Sequence, residues 1–289
     1  MSILGQLIIN SLIAGAIYTL VALGFSLIYR VTKFLNLAHG VMATIGGYMV
    51  FYLFKMLGLN LYLAIAVAVI FTGLVGYISN YLVFRRLRAR RGSNLVLIVA
   101  SLGVFTAIES LIAILFSSQF QTLSDNRSIV KIYSLIGGVV TQTQIVILLS
   151  GLAIMVGLIL LLKFTLFGKA VRAIADDEEV AKVVGINTHK IVGRVFFICS
   201  AIAGLAGVLV GFDTGLTPIM GMGLLLKGVI AAIIGGVGNI WGAVVGSFVL
   251  GFIENFGIWK ISSEWKDAIA FGILILFLIF RPQGLFGKK

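Results

Sequence analysis

The sequence predicts an all-α integral membrane protein: a polytopic bundle of eight or nine transmembrane helices with one short helix on the cytoplasmic side, in a single domain over residues 1–289. Three observations carry this. The 289 residues are 60% hydrophobic and 11% charged, with mean hydropathy +1.16, whereas about a quarter of a soluble domain is charged. Apolar runs recur that are long enough to cross the hydrocarbon core, which takes roughly 20 helical residues each. Lys and Arg gather in alternate connections, the asymmetry that orients helices in a bilayer. The 35 glycines against two prolines fit the same class, because small residues let membrane helices approach closely.

The first run, Ile3 to Tyr29, has no basic segment before it and is too long for a signal-peptide core, so it is expected to remain as the first helix. Further spans are expected at Leu35 to Phe54, Leu61 to Phe84, Leu95 to Phe116 and Thr143 to Leu162. The segment Ser117 to Thr141, polar at Gln119, Gln121, Ser124, Asp125, Asn126 and Arg127, reads as a solvated external connection with room for a short helix or hairpin. After the polar stretch Gly168 to Arg194 come Val195 to Phe212, a Gly-rich region from Leu224 to Phe256, and Ala268 to Phe280. The Gly-rich region has the length of two short helices broken near Gly235, Gly236 and Gly238. A break at membrane depth needs cover from protein or a water-filled cavity.

Basic residues set the orientation. Arg30 and Lys33, the run Arg85, Arg86, Arg88, Arg90 and Arg91, then Lys163, Lys169, Arg172, Lys182, Lys190 and Arg194, and finally Arg281, Lys288 and Lys289 fall on one side. That side is the cytoplasm. Only Lys55, Arg127, Lys131, Lys260 and Lys266 lie opposite, with Lys227 at an outer helix edge. An external N-terminus and an internal C-terminus require an odd number of complete crossings, which favours nine, or eight apolar segments of which one breaks and returns.

Several function classes are excluded. The net charge of +12 reads as topogenic, not as a nucleic-acid surface, because long apolar runs flank the arginines. A single Cys199 forms no internal disulfide, and two histidines supply no metal set, so no metal or cofactor is expected. There is no GxxxxGK[ST] phosphate loop. Scattered acids and separate histidines provide no nucleophile and base for an embedded enzyme.

The most informative segment is Gly168 to Arg194. Asp176 followed by Glu179 resembles a capping box. Asp177, Glu178 and Glu179 then lie in a first turn, where carboxylates favour the helix dipole, and Gly185 lies where a left-handed cap is wanted. A helix from Asp177 to Val184 follows, with Val180, Ala181, Val183 and Val184 as a narrow apolar stripe. Consecutive acids from Asp176 to Glu179 are repelled by anionic lipid, so the stripe is read as docking to a protein.

Ionisable residues inside spans are functional candidates by default. Glu109 lies well inside its span; Asp213, Lys227 and Glu254 lie nearer outer ends, where Lys227 pairs with Asp213 or Glu254 or serves a pathway. Asn36 and His39, at the start of the second span, are read as a helix cap and a donor to a neighbouring carbonyl, with a pathway role as the alternative. Gly207 with Gly211 and Gly242 with Gly246 form GxxxG pairs that mark close helix contacts, within the chain or with a neighbour.

Taken together, four pieces resemble the membrane subunits of ATP-binding-cassette importers of the branched-chain amino-acid type, of the LivH kind: Asn36-Leu37-Ala38-His39-Gly40; Gly168-Lys169-Ala170-Val171-Arg172-Ala173 through Ala181 to Gly185-Ile186-Asn187; Gly235-Gly236-Val237-Gly238 with Gly242 to Gly246; and Arg281-Pro282-Gln283-Gly284. Their order and spacing span essentially the whole chain. The resemblance implies that Asp176, Asp177, Glu178, Glu179, Val180, Ala181, Val184 and Gly185 form a coupling helix seated in a groove of a cytoplasmic ATPase. It also implies two ATPase subunits, a second homologous permease and an extracytoplasmic solute-binding protein, in a bacterial cell or inner membrane. The implied solutes are branched-chain or other aliphatic amino acids, or urea and short amides. The chain departs from the usual Glu-Ala-Ala opening of the importer loop, with Glu179-Val180-Ala181 and an earlier Gly185, so only Ala181 and Gly185 map onto that pattern. The rival from another class is a self-sufficient carrier or channel using Glu109.

Overall fold

The computed structural model describes residues 3–124, 132–135 and 137–286. The sequence readings at Asp125, Asn126, Arg127, Lys131, Lys288 and Lys289 lie outside the described residues. In order, the helices are α1 (Ile3–Thr32), α2 (Ala38–Val50, prolonged by a π-helical turn at Phe51–Met56), α3 (Leu61–Ser79, running through a π turn at Asn80–Phe84 into α4, Arg85–Ala89), α5 (Asn94–Phe116), α6 (Gln142–Phe164), α7 (Leu166–Asp176), α8 (Glu178–Val183), α9 (Thr188–Asp213), α10 (Met220–Gly235), α11 (Ile240–Gly257) and α12 (Lys266–Phe280). Six are long and apolar enough to cross a membrane: α1, α3 with α4, α5, α6, α9 and α11. With the shorter apolar α2, α10 and α12, the bundle has nine apolar helices among the described residues.

Local chemistry sets the starts. Asn60, Ser93, Asn187 and Asn239 each accept a backbone N–H of the following first turn, satisfying donors that have no partner inside the helix. Thr141 and Gln144 form a reciprocal capping box for α6. Asn187 starts α9 earlier than the expected Val195. Thr188 and Val192 turn inward while His189, Lys190 and Arg194 stay exposed, so the polar residues ride the first turns of a helix instead of a loop.

α1 is the central post. Every residue from Gly15 to Ile28 is buried, as expected of a helix apolar on all sides. It packs against α11, α9, α10 and α6. Outer helices expose large apolar side chains instead, among them Leu63 and Ile70 on α3, Ile114 on α5, Leu149 on α6 and Ile279 on α12. Such a surface suits hydrocarbon, not water.

The break expected at membrane depth lies elsewhere. The turn Gly236–Asn239 sits at one end of the bundle beside Tyr29, Arg30 and Asp176, at the level of the basic connections. The tail closes over it: Leu285 N–H and Phe286 N–H donate to Ile234 and Gly235 carbonyls at 2.8 and 3.0 Å, and Asn239 Nδ2 donates to the Phe286 carbonyl at 3.1 Å. Two of the four recognised sequence pieces thus meet. At the opposite end, strands β1 (Ile132–Leu135) and β2 (Gly138–Thr141) pair antiparallel, Ile132 facing Thr141, and Gln121 bridges to Leu216.

Candidate functional site

The basic end carries the predicted interruption, built in two helices. Thr165 accepts the Gly168 N–H at 3.1 Å and starts α7. Arg172 donates from its guanidinium to the Leu162 carbonyl, capping the end of α6 and tying α7 to it. Gly168 is required here, since a Cβ at that position would fall on the Leu162 backbone. Val171, Ile174 and Ala175 bury one face of α7 in the bundle.

Asp177 then breaks the chain at φ −154° and caps α8, its Oδ1 accepting the N–H groups of Glu179 at 2.8 Å and Val180 at 3.0 Å. This corrects the expected cap. Asp176 is the last residue of α7, and the third helical position after Asp177 is Val180, which has no side chain to complete a capping box. Gly185 takes φ +86°. Its N–H donates to the Lys182 carbonyl and that of Ile186 to the Ala181 carbonyl, both at 3.0 Å, the two bonds of a Schellman stop.

The apolar stripe divides. Ala181 is 1% exposed and anchors α8 to the bundle, whereas Val180, Val183 and Val184 are 59%, 87% and 67% exposed. Lys182 pairs with Glu179 at 2.8 Å and Glu178 at 3.4 Å, and the hydrogen bond to Glu179 holds its ammonium above the ordinary lysine range. The result is a short helix fixed at both ends, presenting three valines ringed by acids.

A second feature opens at the other end. A cavity of about 470 Å³ lies between α1, α6, α9, α10, α11 and α12. Its walls are apolar at Ile13, Ile17, Val210 and Leu224, and polar at Gln144, Asp213, Lys227, Asn255, Lys266 and Asp267. Behind it sits Glu254, fully buried, accepting from Tyr18 Oη at 2.6 Å, with Lys227 Nζ at 3.6 Å and Lys266 Nζ at 3.7 Å. Lys227 also meets Asp267 at 3.1 Å. Lys227 is therefore in the middle of α10 rather than at a helix edge, and it pairs with Glu254. Asp213 instead accepts from Gln144 Nε2 at 3.3 Å.

The other candidates are scattered. Asn36 and His39 are buried at the start of α2. Asn36 does not cap it: the preceding residue is Leu37, no side chain caps the helix, and Asn36 Oδ1 has no hydrogen-bond partner. The His39 ring is wedged against Gly24, where a Cβ would stand 2.6 Å from it, and its nitrogens lack hydrogen-bond geometry to the nearby Val21 backbone. Glu109 is half-exposed on α5 and does not line the cavity. Gly207 meets the Ala43 backbone of α2, and Gly211 the Leu123 and Leu216 side chains; Gly242 and Gly246 meet Gly235 and Ala231 of α10. All four contacts lie within the chain.

Sequence reasoning missed Tyr18, Gln144 and Asp267. Tyr18 stands in an unbroken apolar helix, where a buried tyrosine hydroxyl needs a partner. Asp267 beside Lys266 at the start of the last span was an available signal.

Comparison with known proteins gives a consistent result. The family described as "Branched-chain amino acid transport system / permease component" matches residues 7–278. The high-affinity branched-chain amino acid transport system permease protein BraD of Pseudomonas aeruginosa is 32% identical, the match covering 98% of this chain and 95% of BraD. LivH of Salmonella typhimurium, a permease protein of the same description, is 29% identical over the same shares. Among solved structures, PsaBC from Streptococcus pneumoniae in complex with Fab superposes with TM-score 0.52 at 16% identity, covering 96% of this chain and 92% of that one, a likeness of fold. This chain, a multi-pass membrane protein, belongs to the family of branched-chain amino acid transport permease components.

Proposed function

We propose that this chain is the permease subunit of an ATP-driven importer for branched-chain or other aliphatic amino acids. It forms one half of the translocation pathway with a second, homologous permease. Two cytoplasmic ATPase subunits power it, one of them gripping α8, and an extracytoplasmic binding protein delivers the solute to the opposite face. The whole chain acts as one transmembrane domain in a bacterial inner membrane, N-terminus outside and C-terminus in the cytoplasm. It has no catalytic role and binds no nucleotide, metal or nucleic acid; its remaining partner is lipid.

The observation that carries the reading is the exposed face of Val180, Val183 and Val184 on a helix capped at both ends. Exposed valines outside the bilayer need a partner surface. Tied rigidly through α7 to α6 and through Asn187 to α9, α8 passes a partner's displacement directly to two membrane helices. Asp176, Asp177, Glu178 and Glu179 rim the face and suit a basic groove.

The test is reconstitution of the chain with its ATPase, second permease and binding protein in vesicles, followed by uptake of radiolabelled leucine. ATP-dependent uptake that needs all components is expected. Uptake by this chain alone, driven by an ion gradient and abolished by Glu109→Gln, would establish the carrier instead. Transport of urea but not leucine would reassign the solute.

A further inference from the structure

Near the basic end the bundle leaves a groove on its outer surface. Phe197 and Ile198 of α9 form the floor, Leu74 and Tyr77 of α3 one wall, and Leu161 and Phe167, from the corner where α6 passes into α7, the other. The wall on α3 is seated closely on the floor: a Cβ at Gly193 would stand 2.7 Å from the Tyr77 ring, and one at Gly73 2.9 Å from the Phe197 ring. The groove holds about 490 Å³, within the roughly 300–1,000 Å³ range of small-molecule sites. Leu74 and Tyr77 remain exposed, as do Phe164 and Leu166 at the corner, so the opening faces hydrocarbon. Left empty, such walls forfeit their dispersion contacts; a lipid tail restores them.

One charge stands in this apolar setting. Arg194 lines the groove and is exposed, and among the described residues no acid lies within ion-pair distance of it and no hydrogen bond engages it. Lys163 and Lys169, exposed near the same corner, likewise have no carboxylate within that distance. Lys227 and Lys266 at the opposite end differ, each being paired with Glu254. A guanidinium is permanently charged, and its planar fork of donors matches the oxygens of a phosphate. Basic pockets between membrane helices at the level of the headgroups meet that chemistry in anionic lipid.

We propose that the groove between α3, α6 and α9 is a binding site for one anionic phospholipid, with an acyl chain along Leu161, Phe197 and Ile198 and the phosphate on Arg194. Lys163 and Lys169 add positive charge around the headgroup. A zwitterionic headgroup brings its own ammonium towards these cations, so the site favours the anionic lipid. The proposal goes beyond the importer reading and does not rest on it, since it requires only that the chain spans a membrane. An occupant would tie the first turns of α9 to the end of α6, the two helices between which α7 and α8 are held.

The experiment uses the full chain, extracted in mild detergent from nanodiscs with equal amounts of phosphatidylglycerol and phosphatidylethanolamine, and counts retained lipid by native mass spectrometry. One phosphatidylglycerol per chain is expected at saturation, with phosphatidylethanolamine held at least about tenfold more weakly, the scale of one hydrogen bond to a charged group. Arg194→Gln is expected to abolish that preference. Arg90→Gln, which removes the same charge from an exposed position at the same end but outside the groove, is expected to keep it. Leu161→Trp fills the groove without changing charge and is expected to lower phosphatidylglycerol retention by a similar factor. If a substitution prevents folding, the comparison of the two lipids on the unaltered chain decides. Equal retention of both lipids overturns the site. So does loss of the preference in Arg90→Gln, which would assign it to the basic end as a whole, and so does displacement of phosphatidylglycerol by excess inorganic phosphate, which would leave no role for the apolar walls. Loss of the lipid when the chain is assembled with its partner subunits also overturns it and gives the groove to a protein surface.

Discussion

Changing Val180, Val183 and Val184 together to alanine removes two methyl groups from each of three side chains that stand 59%, 87% and 67% exposed. A buried methyl or methylene contributes about 0.8 kcal/mol. If docking covers what is now exposed, the three truncations together cost about 3 kcal/mol of binding, weighting each by its present exposure. At 1.4 kcal/mol per tenfold, affinity for the ATPase falls by about two orders of magnitude. The chain's own fold is spared, since exposed positions usually change stability by no more than about 0.5 kcal/mol. The assay is titration of purified ATPase onto the permease pair in nanodiscs, read by fluorescence anisotropy, with leucine uptake in parallel vesicles. An affinity within threefold of the unaltered protein, with the fold intact, would refute the docking face.

The cap assignment separates two adjacent acids. Asp177→Ala removes both bonds that start α8 and costs about 0.5–2 kcal/mol locally, so amide exchange over 178–183 accelerates and uptake falls; Asp176→Ala leaves exchange there unchanged, and the reverse pattern would restore the capping box. Gly168→Ala drives a methyl onto the Leu162 backbone, and overpacking of this kind costs about 1–3 kcal/mol. Its signature is faster proteolysis between α6 and α7, and undiminished resistance would contradict the close approach. Tyr18→Phe deprives buried Glu254 of the one hydrogen bond it accepts among the described residues and lowers stability by about 1–3 kcal/mol, visible as a drop in melting temperature in detergent. An unchanged melting point would show that the hydroxyl does not hold the network.

Expectations succeeded where the physics is local or averaged along a segment. The apolar runs located the spans within a few residues because hydrocarbon thickness fixes their length. Gly185 was legible as a stop because few residues other than glycine accept φ +86° there. The starts of α8 and α9 were misplaced where neighbouring polar residues compete for one role: Asp176 and Asp177 are chemically equal in sequence, and only the chain's path after α7 makes the second the cap.

By itself the sequence determined that this chain lies in a membrane, where its basic connections fall, and that one acidic, valine-bearing segment interrupts the spans. Those properties belong to single segments and need no knowledge of neighbours. Tertiary structure decided which of four apolar residues turns inward, so that Ala181 anchors and the valines face out. It also decided that the Gly236–Asn239 turn and the tail from Gly284 meet at one end, and that Tyr18, Asp213, Lys227, Glu254 and Lys266 surround or support one cavity. Those five residues come from five helices, and helix periodicity places each on a face without saying what that face meets. Only packing supplies the opposing charge at 3.6 Å.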